Sequence, residues 1–324
     1  MHRWIAAAVT CGLLLAGCGS EDDGSKAAAP AATAKASSAP ASYAPASDVG
    51  PNAAIGKDVA AIRALLEPAP AGTKPDFEAA AQIWSNGKFS RTSDGTNRTL
   101  AEFAAKHPAG TGVTHALRGT GTAAGLSDEQ RVEWIDKGMV VALKVHALSE
   151  FAGAKEKLAA GQLDPAEGAG HNVDEVWAYF TAGGHGVVAT AAERAKDFGL
   201  GEHDLGNDVV AGIAAARDAV AAKDAAALDA AAERTRGAMN RIFALAVKKY
   251  AVEGATAATA RAEGHAFTWG LAGELSEDDL KAIQVALRGG ARTDSATAVP
   301  RALDGAAAKL GFSAPLPAYP PTSR

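Results

Sequence analysis

Apolar residues recur at helical spacing along most of the chain, and the strict alternation of a half-buried strand is absent. With Gly, Pro and Asp as punctuation, the pattern predicts helices over 54–67, 76–86, 98–107, 128–160, 172–182, 187–197, 207–222, 224–251, 255–273, 276–288 and 296–310. Stops fall at Pro68, Gly87, Pro108, Gly161 and Gly289, and Ser276 with Asp279 three residues on resembles a capping box. The expected fold is all-α, one or two bundles of about ten helices.

The 128–160 helix should be central. At 100° per residue Val132, Ile135, Met139 and Leu143 form one stripe, while Trp134, Val141, Val145 and Leu148 form another. A weaker pattern links Ala166-Glu167-Gly168 before His171 and Trp177 with Ala262-Glu263-Gly264 before His265 and Trp269. Chance in an alanine-rich chain is the simpler account, whereas a true repeat would make two pseudo-repeated halves.

The two ends read differently from the body. Residues 1–17 have a basic start, a short apolar run and a Leu15-Ala16-Gly17-Cys18 ending. That is a secretory signal too short to span a bilayer, and its ending resembles a bacterial lipobox with Cys18 as the lipidated residue. An ordinary cleaved signal is the alternative. Residues 18–53, rich in Ala, Pro and Ser, are expected to be a disordered tether behind the lipid, 54–313 the folded body, and 314–324 an unstructured tail. The protein would then be exported and held on the cell envelope, on the periplasmic side or at the outer membrane if the cell has two membranes.

Composition narrows the chemistry. Aromatics are only 6% of the 324 residues, and the net charge is −5 with no basic block, which argues against a nucleic-acid partner. Both cysteines, Cys11 and Cys18, precede the body. Any metal in the body must therefore be held by His, Asp, Glu, Tyr, main chain or water.

Three places set polar groups against apolar faces. His146 and Glu150 stand one turn apart on a buried stripe, where a carboxylate needs a partner or a metal. Glu263 shares a small-residue face with Thr259, Ala260, Ala266, Phe267 and Gly270 and is read as a ligand candidate, with a salt bridge or a bond to Thr259 as the structural alternative. The densest cluster is His171-Asn172-Val173-Asp174-Glu175, with His171, Asp174 and Glu175 at i, i+3 and i+4. These are three candidate ligands for a hard or borderline cation. The bland alternative makes Asn172 a helix cap with Glu175 its capping-box partner. Glu202, His203, Asp204 and Asp208 suit a solvated loop, and His115 and His185, set among glycines, suit loops too. No zinc-protease His-Glu-x-x-His, nucleophile elbow or phosphate loop occurs.

The stretch His171-Asn-Val-Asp-Glu-Val-Trp-Ala-Tyr-Phe180 resembles the algal low-iron-inducible (also high-CO2-inducible) periplasmic proteins of iron assimilation, a family with bacterial relatives. Further points of similarity are Gly56-Lys57-Asp58, Trp134-Ile135-Asp136-Lys137-Gly138, Glu193-Arg194 before Phe198-Gly199, and Ala262-Glu263-Gly264 before Phe267 and Trp269. The resemblance implies a secreted, all-helical iron-binding protein rather than an enzyme. It carries ligand roles to His171, Asp174, Glu175 and Glu263, to which His146 and Glu150 are added from the helix faces. It departs in two respects: the algal proteins carry cysteines that this body lacks, and a lipid tether replaces free secretion.

The expectation is an envelope lipoprotein that binds iron, Fe3+ rather than Fe2+, for assimilation. Bicarbonate could complete the shell near Arg194, and an iron permease or receptor would take the cargo onward. An imelysin-like helical lipoprotein with a metallopeptidase-type site, or a metal-free structural lipoprotein, are the rival readings.

Overall fold

Each helix begins where the chain can satisfy its free N–H groups and ends where it cannot continue. The computed structural model describes residues 43–67, 72–254, 256–288, 295–313 and 316–319. Among these are α1 (Gly50–Ala53), α2 (Ile55–Leu66), α3 (Phe77–Asn86), α4 (Leu100–Phe103) and α5 (Pro108–Arg118). They are followed by α6 (Asp128–Ala159), α7 (Ala169–Thr181), α8 (Val187–Asp197), α9 (Asp204–Ala222) and α10 (Ala225–Glu253). The last three are α11 (Ala258–Trp269), α12 (Glu277–Arg288) and α13 (Ser295–Gly305). No strand occurs among the described residues, only two isolated bridges, and no helix there is long and apolar enough to cross a membrane. The protein is an all-α bundle.

The two long helices, α6 and α10, carry the middle of one continuous core. Ser127 and Gln130 close a capping box at the start of α6. Beyond it Ile135, Met139 and Leu143 are buried on one side and Trp134 and Val141 on the other, the two-faced burial the spacing predicts. From α10 come Met239, Ile242, Phe243, Leu245 and Val247.

The expected helix at 98–107 shrinks to the single turn of α4, and an unexpected helix, α5, follows. Pro108 stops the one and starts the other: at the first helical position its missing N–H costs nothing. His107 caps the turn by accepting from Ala109 N at 3.3 Å, and Gly119 closes it in the left-handed region at φ 64°. His115 therefore lies on a helix, not in a loop. The glycines that argued against helix here serve packing, since a Cβ on Gly112 would lie 2.3 Å from the Trp269 ring of α11.

The ends of the body extend further than the composition suggests. Residues 43–53 are not tether: Tyr43, Ser47 and Asn52 bond to α7, and α1 begins at Gly50. At the other end Leu316 is buried, and Tyr319 donates to Glu253 at 2.5 Å and packs on Phe198. Both segments carry few apolar groups but spend those few on the body. The pattern linking 166–177 with 262–269 does not recur in space, because Glu167 lies in the turn before α7 whereas Glu263 lies inside α11. Residues 1–42, with Cys18, fall outside the described residues.

Candidate metal centre

α7 turns back along α6, and each helix presents a His with a Glu four residues later on one face. On α6, His146 Nε2 stands 3.5 Å from Glu150 Oε1; on α7, His171 Nε2 stands 3.5 Å from Glu175 Oε1. The two carboxyls face one another across the helix pair, and one side-chain amide, that of Asn172, reaches both. Their side chains are only 14% and 13% exposed. Close approach of the helices depends on Gly153: a Cβ there would lie 2.7 Å from the Asn172 amide.

Asn172 is not a cap. The helix opens at Gly168, a full turn earlier, so Asn172 lies inside α7 and points into the pair of carboxylates. Its Nδ2 donates to Glu150 Oε2 at 2.6 Å and to Glu175 Oε2 at 3.4 Å, while its Oδ1 is buried with no partner. An orphaned acceptor beside two carboxyls is a local surplus of lone pairs. Asn52 of α1 adds a second amide, donating to Glu175 Oε1 at 2.6 Å and to the Tyr179 hydroxyl at 2.8 Å. Tyr179 continues the face of His171 and Glu175 at i+8, a spacing visible in the sequence. Asn52 could not be found that way, because it sits in the segment that reads as tether.

Burial and then the Glu175 carboxylate push Glu150 up to about 8, so Glu150 holds a proton near neutrality. Burial pulls His146 down to about 4, and the field of Arg98 adds to this, so its imidazole is neutral. It lies stacked on Phe103 at 3.6 Å between ring centroids and edge-on to Tyr179. The tautomer of His171 follows from its neighbour. Ser47 Oγ spends its one hydrogen on Asp174 Oδ2 at 2.7 Å, so the His171 Nδ1 that meets it at 3.0 Å carries the proton. With Nδ1 held by Ser47, Nε2 is the nitrogen turned toward Glu175, the orientation in which an imidazole can serve a cation.

Asp174 is not part of this donor set. It shares the helix face of His171, but contacts from the 43–47 segment and from α9 draw it to the other side. Its carboxylate, 1% exposed, takes Tyr43 Oη at 2.5 Å, Ala46 N at 3.0 Å, Ser47 N at 2.9 Å, Ser47 Oγ and the Arg217 guanidinium. It holds the 43–47 segment and, through Ser47, the His171 ring.

Glu263 belongs to another network. Lys137 of α6 lies among Asp136 at 2.7 Å, Glu133 at 3.1 Å and Glu263 at 3.6 Å, with Arg63 of α2 on Asp136 at 2.6 Å. Burial opposes the Lys137 charge, but the three carboxylates outweigh it and hold the ammonium well above its ordinary value. Tyr250 stands within the field of Glu263 and receives Arg194 at 3.5 Å; Arg194 is otherwise spent on Asp197 at 2.8 Å and Glu193 at 3.3 Å. The motifs at 134–138, 193–194 and 262–264 thus converge on an ion network that already has its cations. Arg194 is not free to hold bicarbonate, and the cation whose field reaches His146 and Tyr179 is Arg98.

Among the described residues no group of three or more His, Cys, Asp or Glu converges closely enough to hold an ion as it stands. The Asn172 amide bridges the carboxyls instead. The donors nonetheless fit a hard or borderline cation: two carboxylates, two imidazole nitrogens, an orphan amide oxygen and a phenol. His171 and Glu175 open onto a cleft of about 830 Å³ rimmed by Lys157, Asp164 and Glu167.

Residues 22–261 match the family model described as low iron-inducible periplasmic protein, Fea1. No curated protein and no solved structure matches the chain.

Proposed function

From the premise that the chain belongs to the family of low iron-inducible periplasmic proteins, we propose that it is an exported iron-binding protein that captures Fe3+ between α6 and α7. The observation that carries this reading is the pair of His-x-x-x-Glu sets, His146–Glu150 and His171–Glu175, whose carboxyls share the Asn172 amide beside its unpartnered Oδ1. The Glu150 proton and the amides of Asn172 and Asn52 hold the carboxyls in place. A cation entering from the cleft would displace the proton, turn Asn172 so that Oδ1 faces inward, and take Nε2 of His171 and His146. Fe3+ suits a set dominated by oxygen. Its −5 charge disposes the molecule toward cations in general, while the site supplies selectivity. Lipidation at Cys18 would keep the captured iron at the envelope, within reach of a permease or receptor.

The test is an iron titration of the untagged chain, followed by the same titration of Glu150→Gln and Glu175→Gln. Each variant should bind iron at least tenfold more weakly, about 1.4 kcal/mol. Stoichiometric iron binding that survives both changes would place the metal elsewhere.

A further inference from the structure

At the opposite end of α6 from its paired His and Glu, a cavity of about 240 Å³ lies between the N-terminal turns of α6 and α11 and the last turn of α12. Gln130, Trp134, Arg261, His265, Leu287 and Arg288 line it, and no Asp or Glu does. Elsewhere Arg63 ties α2 to Asp136 of α6, and Arg217 ties α9 to Asp174 of α7.

Here the partners are poor. Arg288 turns its guanidinium onto His265, with Nη2 at 2.9 Å from Nε2 and Nε at 3.4 Å from Nδ1. A neutral imidazole has a single lone pair, so only one of these N–H groups finds an acceptor. Burial, with Arg288 beside it, holds His265 down to about 3, and burial alone pulls Arg288 down. Arg261 donates Nη1 to the Gly254 carbonyl at 2.7 Å and has no carboxylate among the described residues. The Trp134 ring stacks on His265 at 4.8 Å, and its buried Nε1–H has no acceptor. The wall is therefore rich in donors and poor in acceptors. The half-buried Arg261 and the exposed Arg288 at its mouth leave two guanidinium groups facing the cavity with no carboxylate between them.

We propose that this cavity binds a small oxyanion carrying two or more negative charges, of the phosphate or polycarboxylate kind, held between Arg261 and Arg288. Guanidinium groups match such oxygens in bidentate fashion, and the spare Trp134 N–H supplies a further donor. Leu287 and the indole face leave room for a short carbon skeleton, which a bare halide would not use. The cavity shares no residue with the His146–Glu150 and His171–Glu175 pairs, so it stands or falls apart from the iron reading.

The experiment uses the full chain freed of iron, titrated with inorganic phosphate and, separately, with citrate, against sodium chloride at matched ionic strength. Tryptophan fluorescence and the thermal midpoint are read together. A saturable fluorescence change and a midpoint that climbs with ligand concentration are expected for at least one oxyanion. Arg288→Gln should weaken that response at least tenfold. Gln130→Glu guards against a folding artefact: Glu serves the capping box as well as Gln does, yet it sets a carboxylate in the wall. It should lose binding by a similar factor while melting like the parent. Saturation by phosphate alone or by citrate alone identifies the class within the proposal. No saturable response beyond chloride, or both variants titrating like the parent, overturns it.

Discussion

Glu150 answers to pH and to iron in opposite directions. Its folded value near 8 lies above the ordinary carboxylate range, so between those limits the native protein holds a proton that the unfolded chain has released. Stability from this group is present at low pH and is lost as pH rises toward 8, by at most about 1.4 kcal/mol per pH unit. His146, His107 and His265 act on the other side. Burial, first among their causes, pulls them to about 4, 4 and 3, so they cost stability as pH falls below the ordinary imidazole value. The iron-free protein should be most stable near pH 6.5 and lose midpoint between pH 7 and 8.5. Melting curves of Glu150→Gln should be flatter across that upper window. Iron affinity should rise over the same interval, because the cation must expel the Glu150 proton. A parent protein whose iron affinity falls from pH 7 to 8 would contradict this. Asp174→Asn separates support from ligation. It should destabilise the fold by on the order of 3 kcal/mol, since Arg217 loses its buried partner, yet weaken iron less than Glu175→Gln does.

Among the elements, α1 and the strand-less segment before it matter beyond their length. Tyr43, Ala46 and Ser47 close over Asp174, and Asn52 reaches Glu175 and Tyr179. A chain starting at residue 54 should therefore melt several degrees lower than one starting at residue 43. It should also bind iron more weakly, because the His171 ring loses the Ser47 contact that sets its tautomer. Equal melting and equal iron binding of the two truncations would mean that these contacts carry nothing. The α6–α7 pair has a second dependence, on the bare Cα of Gly153 against Asn172. A side chain there would push the amide away from the carboxyls it joins.

For the whole molecule, the family match supplies the cellular setting, and the lipobox reading of residues 1–18 would refine it to a membrane anchor. Members are described as periplasmic and low-iron-inducible, and the Leu-Ala-Gly-Cys ending would fix the mature chain to a membrane at Cys18. Cys18→Ser should move the protein from the detergent phase to the aqueous phase on phase separation. Continued partition into detergent would rule out lipidation at that residue.

The amino-acid sequence determined the all-α class, the central place of α6 and the identity of the His and Glu residues at the α6–α7 pair. All of these follow from composition and from a repeat of 3.6 residues, which acts locally. Tertiary structure decided which of the candidates meet. Glu150 and Glu175 come from different helices, and only the hairpin brought their carboxyls together. The i+3 spacing of Asp174, read as a shared face, became a separate anchor once Arg217 and Tyr43 arrived from elsewhere in the chain. Glu263 went to Lys137 for the same reason: the charge that satisfies a buried carboxylate lies far away in sequence, and no local pattern names it. Asn52 and α5 were hidden because a weakly apolar segment and a glycine-rich one gain their order from the surfaces they pack against, not from their own propensity.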